Sequence, residues 1–488
     1  MRESGILMHL SSLPGPYGIG TMGKAARDFV DFLAAAGQKN WQILPLSPTG
    51  FGNSPYQALS AFAGNPYLID LDTLIDEGLL KQEETASVFW GCEAQKVDFG
   101  ALYDNRREVL RIAFSRFVPT GDYETFCEEE KDWLPDYALF MALKKQHQGR
   151  DWLRWEEPLR LRNPGVIRQA GEALREEIAF HSFLQYEFFR QWNRLHAYAA
   201  GKGIRMIGDV PIYVPLDSAD TWAAPELFQL DSRRCPTAVA GVPPDAFTAD
   251  GQLWGKSLYN WQAMEQDGYA WWLRRLRAAS RLYDTIRLDH FRGFESYWSV
   301  PAGASTARNG HWEKGPGRAF IRTIRDAGFS CIAEDLGYVT PEVRALQKES
   351  GFPGMKIMEF AFDSREKGNY LPHGYPVNSV CYSGTHDNLT LRQWLEEADP
   401  VDLQLAKEYL GLNREEGYLS GMIRGCMSSV SRLCIIQMQD WLELGSFSRM
   451  NFPGTLSDQN WTWRAKPEAF CPALAEKIRI VTERYGRA

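Results

Sequence analysis

The sequence predicts an α/β chain folded as a closed (β/α)8 barrel, with inserted subdomains over the C-terminal face of its strands. Two observations carry that prediction. Eight short β-branched or apolar runs recur, at 5–10, 40–45, 204–210, 283–288, 330–334, 356–360, 379–383 and 433–438. Amphipathic stretches alternate with them, the pattern that gives a parallel sheet with covering helices, and eight such strands are the number that closes into a barrel.

The elements follow in order. After the run GILMHL at 5–10, the stretch 24–36 carries Ala25, Phe29, Phe32 and Leu33 on one helical face, and Gly37 ends it. The second run, 40–45, is separated from the third, 204–210, by about 160 residues, and the third from the fourth, 283–288, by about 70; both gaps far exceed an ordinary βα connection of 2–6 residues. They therefore hold inserts within one interrupted barrel spanning 1–488. The first, 51–175, reads as mainly helix and loop, with a helical pattern at 133–148. The second, 219–268, is rich in Pro, Gly and Trp and reads as an ordered loop assembly over the barrel mouth. No internal repeat or low-complexity tract interrupts the pattern.

Composition narrows the function. Among 488 residues, 54 Lys and Arg face 62 Asp and Glu, a formal charge of -8 that argues against a sequence-independent grip on nucleic acid or anionic lipid. A neutral or cationic partner fits better. Aromatic residues make up 13%, with 17 Trp, which suits a ligand with flat apolar faces such as a sugar ring, although Trp also fills cores. The eight cysteines are scattered, without CxxC pairs or a histidine at zinc spacing, so the expectation is a reducing compartment and no metal. The apolar run after MRES is too short for a signal peptide or membrane span, and no later run reaches membrane length; the expected location is the cytoplasm.

In a (β/α)8 barrel, reactive groups sit where the strands end at the C-terminal face. Four acidic segments answer that description: Asp209 in IGDVPIYV, Asp289 in TIRLDHFRGFE, Glu334 with Asp335 in CIAEDLG, and Asp387 in YSGTHDN. Any one strand-end aspartate is commonly a helix cap. Four carboxylates converging on one pocket repel each other, however, and stability alone gives no reason to assemble them. Glycosyl transfer through an oxocarbenium-like transition state needs such a set: one carboxylate to attack or stabilise the anomeric carbon, one acid to protonate the leaving oxygen, one to hold hydroxyls. Arg287 lies two residues before Asp289, on the same strand face, where it keeps a carboxylate charged or serves a purely structural ion pair. His290 and His386 flank Asp289 and Asp387 as donors to sugar hydroxyls or as satisfied buried histidines.

These four segments resemble the four short motifs of the α-amylase clan of retaining glycosidases and transglycosylases, in the same order and each ending a separate strand. Longer runs are similar to the 4-α-glucanotransferases (amylomaltases) of glycoside hydrolase family 77: GILMHLSSLPGPYGIG at 5–20, SPYQ at 54–57, AGVPPDAFTADGQLWG at 240–255 and RMNFPGT at 449–455. The resemblance spans nearly the whole chain. It implies Asp289 as nucleophile, Glu334 as general acid/base and Asp387 as the carboxylate that binds sugar hydroxyls and stabilises the transition state. It further implies substrate contacts from Asp209, Arg287 and His386, a sugar-stacking platform at Tyr56 unless that ring is core packing, a cleft-covering arm bearing Trp254, and a hydroxyl contact from Asn451. The partners implied are α-1,4-glucans and maltooligosaccharides as donor and acceptor, with no cofactor, no metal, no nucleic acid and no membrane.

Two features depart from the family pattern. The arm commonly continues Trp-Gly-Asn-Pro, whereas here Trp254-Gly255 runs into Lys256-Ser257, which removes a backbone lock and adds a cation beside the substrate path. Phe51 stands where the family often has a tyrosine in a second, remote glucan site, so that site is not assigned. Rival readings stay open: an α-amylase-like hydrolase, which the carboxylates alone do not exclude, and a non-catalytic glucan-binding barrel, which predicts a missing carboxylate. A phosphate-binding barrel enzyme lacks a Gly-rich loop after the seventh or eighth strand.

Overall fold

In the computed structural model, which describes residues 2–50, 52–244, 249–337, 339–365 and 370–488, the described residues form twelve strands. In chain order they are β1 (Glu3–Leu7), β2 (Asn40–Gln42), β3 (Arg205–Val210), β4 (Ala238–Val242), β5 (Gln252–Ser257), β6 (Thr285–Leu288), β7 (Ser296–Pro301), β8 (His311–Lys314), β9 (Cys331–Ala333), β10 (Gly354–Ile357), β11 (Ser379–Tyr382) and β12 (Leu433–Gln437). Eight of them close a barrel in the order β1-β12-β11-β10-β9-β6-β3-β2. Every pairing in it is parallel, with Gly5 opposite Asn40 and Ile435, and Asp209 opposite Arg287. The chain is thus a (β/α)8 barrel. Position 51 and residues 245–248 of the 240–255 arm lie outside the described residues.

Each barrel strand overlaps one of the eight runs, because strands buried on both faces are mainly apolar; β2 keeps two buried polar side chains, and the Gln42 amide oxygen accepts the Tyr382 hydroxyl at 2.9 Å. The ends shift where polar or bend-forming residues take over. The run at 356–360 belongs to β10 only up to Ile357; Met358–Phe362 turns as a 3-10 helix. The helix after β1 spans Lys24–Ala35 and buries Ala26, Phe29, Val30, Phe32 and Leu33. It ends at Gly37, whose φ of 69° allows the left-handed turn that returns the N–H of Gln38 to the carbonyl of Leu33 at 2.9 Å. Phe29 packs edge-on against Trp41 of β2 at 5.0 Å and against Phe470 at 4.9 Å, locking helix to barrel. Truncating a ring so placed costs roughly 3–5 kcal/mol.

Between β2 and β3 the chain is helical, including Leu134–Gln146, and the 27-residue helix Arg175–Gly201 returns it to the barrel. Many of the tryptophans serve packing: Trp41, Trp152, Trp192, Trp222 and Trp272 are fully buried. The segment after β3 differs from the expected loop assembly. It contributes β4 and β5 to a four-stranded sheet of order β5-β4-β7-β8, completed by strands from the connection after β6. All its pairings are antiparallel. Thus the connections after β3 and β6 build one structure, and it delivers Trp254 towards the strand ends.

The eight cysteines are free thiols. Among the described residues, no acidic, histidine or cysteine cluster is arranged to hold a metal ion. No helix among the described residues is long and apolar enough to cross a membrane.

Candidate active site

The site grows from the register of β3 and β6. Because Asp209 and Arg287 are paired neighbours, the guanidinium reaches the Asp209 carboxylate at 2.6 Å and, two residues along its own strand, the Asp289 carboxylate at 3.0 Å. Arg287 and Asp209 are almost fully buried, while the Asp289 side chain is 24% exposed to the cleft. Burial alone lowers the guanidinium's hold on its proton, but Asp209 and Asp289 more than offset this and keep it charged. Burial lifts the Asp209 carboxyl to about 6 against the pull of Arg287. Its second partner is the Tyr56 hydroxyl, which donates at 2.8 Å.

Glu334 follows β9 directly. One carboxyl oxygen accepts the backbone N–H of His290 at 2.7 Å and the other that of Leu336 at 2.9 Å. His290, the residue after Asp289, takes a left-handed φ of 48°, uncommon outside glycine, which presents its N–H to Glu334. The neighbouring Asp335 points elsewhere: it accepts from the backbone N–H of Met355 at 2.7 Å and holds β10 in place. Removal from water pushes the Glu334 carboxyl up to about 8; Arg287 opposes this, while the charge of Asp289 adds to it. At neutral pH it keeps its proton, next to a carboxylate anchored on a guanidinium.

Asp387 comes from the turn after β11, closed by the Asn388 side chain accepting from the Thr385 N–H at 3.0 Å and its hydroxyl at 2.8 Å. Its carboxylate accepts the Asn451 amide at 2.6 Å and has the His386 ring at 3.4 Å. The enclosing cleft walls favour the neutral acid, but His386, Asn451 and Arg287 outweigh them and hold Asp387 well below the usual carboxylate range. His386 stacks on Tyr56, with ring centroids 4.9 Å apart and planes 18° from parallel. On the opposite wall Trp254 packs edge-on against His290 at 4.9 Å. Burial takes His290 down to about 4, so its ring is neutral at pH 7.

Apart from Asp335, the ten residues singled out from the sequence are therefore brought together. Contacts run from Asn451 through Asp387, His386, Tyr56, Asp209 and Arg287 to Asp289, and from Glu334 through His290 to Trp254. Three neighbours were not singled out. Trp461 lies 5.9 Å from Tyr56 and 5.8 Å from His386. Arg449 donates to the Asp387 backbone carbonyl at 2.7 Å. His9 is buried and accepts the Leu44 N–H, with its ring pushed down to about 3 by burial and by His386. Arg449 and His9 fall within the runs 449–455 and 5–20, the signal by which sequence reading had access to them; Trp461 falls in none.

A proton-bearing carboxyl beside one paired with a guanidinium, aromatic walls, and a third carboxylate held charged by amide and imidazole define a carbohydrate-active (β/α)8 enzyme. Comparison with known proteins narrows the class. A family model described as 4-alpha-glucanotransferase, glycoside hydrolase family 77, matches residues 8–469. The chain is 47% identical over 486 residues to the 4-alpha-glucanotransferase of Clostridium butyricum, covering 98% of this chain and all of that one. It is 46% identical over 501 residues to that of Thermus thermophilus, covering 100% and 99%. The structure of amylomaltase from Streptococcus agalactiae in complex with acarbose superposes with a TM-score of 0.97 at 40% identity, over the full length of both chains. The chain belongs to the 4-α-glucanotransferase family, glycoside hydrolase family 77. Its reaction is the transfer of α-1,4-glucan segments from a donor to an acceptor, and none of these comparisons favours the hydrolase alternative.

Proposed function

We propose that this chain carries out transfer by retaining double displacement, with Asp289 as nucleophile, Glu334 as acid and then base, and Asp387 as the carboxylate that grips the donor sugar. Asp289 attacks the anomeric carbon of the donor glucan while Glu334 gives its proton to the departing 4-oxygen, leaving a β-glycosyl ester on Asp289. The ionised Glu334 then takes the proton of an acceptor 4-hydroxyl, which attacks the ester carbon and frees Asp289. Retention calls for the two carboxyl groups about 5 to 5.5 Å apart, too close for an intervening water. The observation that carries the reading is the 2.7 Å bond from the His290 N–H to Glu334, which fixes the proton donor against the residue adjoining the nucleophile.

Division of labour follows from charge. Arg287 pairs with the Asp289 carboxylate at 3.0 Å, and the carboxyl of Glu334, pushed up to about 8, is a proton source at neutral pH. Asp387, held ionised, accepts hydrogen bonds from sugar hydroxyls, strengthened as positive charge develops at the ring. Tyr56 offers a sugar a ring face backed by His386, while Asp209, Arg287, His290, His386 and Asn451 supply polar contacts and Trp254 covers the cleft. The free thiols favour a cytoplasmic setting, the finer part of the localisation reading.

Incubation with maltotriose tests transfer against hydrolysis: a transferase yields glucose with a ladder of longer maltooligosaccharides, and a hydrolase only shorter ones. Asp289→Asn is expected to abolish turnover with the fold intact. Substantial residual activity removes Asp289 from the nucleophile role.

A further inference from the structure

We propose that Lys256 binds the acceptor glucan, its ammonium donating hydrogen bonds to hydroxyls of the sugar on the leaving-group side of the scissile bond. This deepens the double-displacement reading above and rests on it. Along β5 residues 252, 254 and 256 are half-buried, while 253 and 255 are exposed; the strand bulges at Gly255, whose φ is 66°, and Lys256 stays on the covered side with Trp254. Trp254 in turn packs on His290, and the Ser257 N–H, donating to the Val214 carbonyl at 3.2 Å, ties the end of the strand to the segment after β3.

The charge so placed is unusual. Among the described residues no ion pair or hydrogen bond engages the Lys256 ammonium, yet the carboxylates whose charges act on it are Asp289 and Asp387. Loss of water around it lowers its hold on the proton, and Arg275 adds repulsion, partly offset by those two acids. A partly desolvated ammonium without a partner is costly, and a surface position avoids the cost. A ligand group that arrives with substrate meets the need. Three carboxyl groups around the same space disfavour an anion, whereas hydroxyl oxygens accept from an ammonium and their protons satisfy the carboxylates.

The side is set by Glu334. Its carboxyl hangs on the His290 N–H, and the His290 ring carries Trp254, so β5 flanks the group that protonates the leaving oxygen and later deprotonates the acceptor. Tyr56, His386 and Asn451 line the other wall, around Asp387. Since the acceptor enters where the leaving group departs, Lys256 acts on both, and its effect shows in acceptor recognition. Asn-Pro is common in the family where this chain has Lys256-Ser257, so the contact belongs to this chain rather than to the family pattern.

The test compares Lys256→Met and Lys256→Arg with the unaltered enzyme, using α-maltosyl fluoride as donor and maltose as varied acceptor. The initial burst of fluoride without acceptor, read before the ester turns over, reports ester formation, and the KM for maltose reports acceptor binding. Loss of a charge-assisted hydrogen bond is worth roughly ten- to a hundredfold, so K256M is expected to raise the maltose KM by at least ten times the factor by which it slows fluoride release. K256R is expected to recover most of the loss. A maltose KM within twofold of the original, equal changes in both measurements, or an arginine variant as impaired as the methionine one overturns the proposal. Asp289→Asn is read in parallel: fluoride release that survives there breaks the underlying mechanism, whatever Lys256 does.

Discussion

Replacing Glu334 by glutamine exposes two consequences of one desolvated carboxyl. With its pKa pushed up to about 8, Glu334 is about nine-tenths protonated at pH 7 and about one-tenth at pH 9. Cleavage of a natural glucan, whose leaving oxygen needs a proton, therefore falls about tenfold per pH unit above 8. In E334Q this alkaline limb disappears along with most of the activity on maltotriose. An α-glycosyl fluoride departs without protonation, so E334Q still releases a burst of fluoride and then stalls, lacking a base for the second step. Stability moves the other way. A carboxyl raised on folding adds a contribution that is complete below the unfolded value near 4.5 and is lost as pH rises through about 8. At about 1.4 kcal/mol per pH unit the ceiling is near 5 kcal/mol, reduced to a few by the carboxyl's partial exposure. Urea unfolding at pH 5 and pH 9 is expected to show E334Q gaining that much relative to the unaltered protein at the higher pH. An unchanged alkaline limb in E334Q, or no relative gain at pH 9, refutes the assignment of the raised carboxyl to Glu334.

Three other substitutions probe the surrounding scaffold. Arg287→Met strands the buried Asp209 carboxylate, a change worth about 3–5 kcal/mol of stability; denaturant midpoints should fall accordingly, and adding Asp209→Asn should recover much of the loss. Asn451→Ala removes the 2.6 Å donor to Asp387, so its carboxyl rises towards the ordinary range and kcat/KM is expected to drop about tenfold, with the acid limb of the pH profile moving upward. Tyr56→Phe keeps the ring stacked on His386 but loses the donor to Asp209, whereas Tyr56→Ala loses both; the alanine variant should show the larger rise in maltotriose KM.

The sequence made the barrel legible because strands buried on both faces are continuous apolar runs, and the four acidic positions stood out as charges at their ends. The β4-β5-β7-β8 sheet was not legible. β4 is only partly buried, β8 is the short, mainly polar segment His311–Lys314, and nothing local to β4 announces its partner β7 some sixty residues away. The family resemblance marked Lys256 only as a departure; its lack of a partner among the described residues emerges from the fold of β5 over the mouth. Nor does any motif encode the left-handed turn at His290, since the cost of that backbone is compensated by a hydrogen bond to Glu334, 44 residues later. Trp461 escaped because its place depends on packing against Tyr56 and His386 from a distant part of the chain.

The most direct measurement is to trap the glycosyl ester with a slow fluorosugar fluoride and map the modified peptide. The mechanism predicts one added sugar, β-linked to Asp289 within the segment Arg287 to Arg292. A label on Glu334 or Asp387, or turnover of the same reagent with no ester formed on any carboxylate, contradicts it.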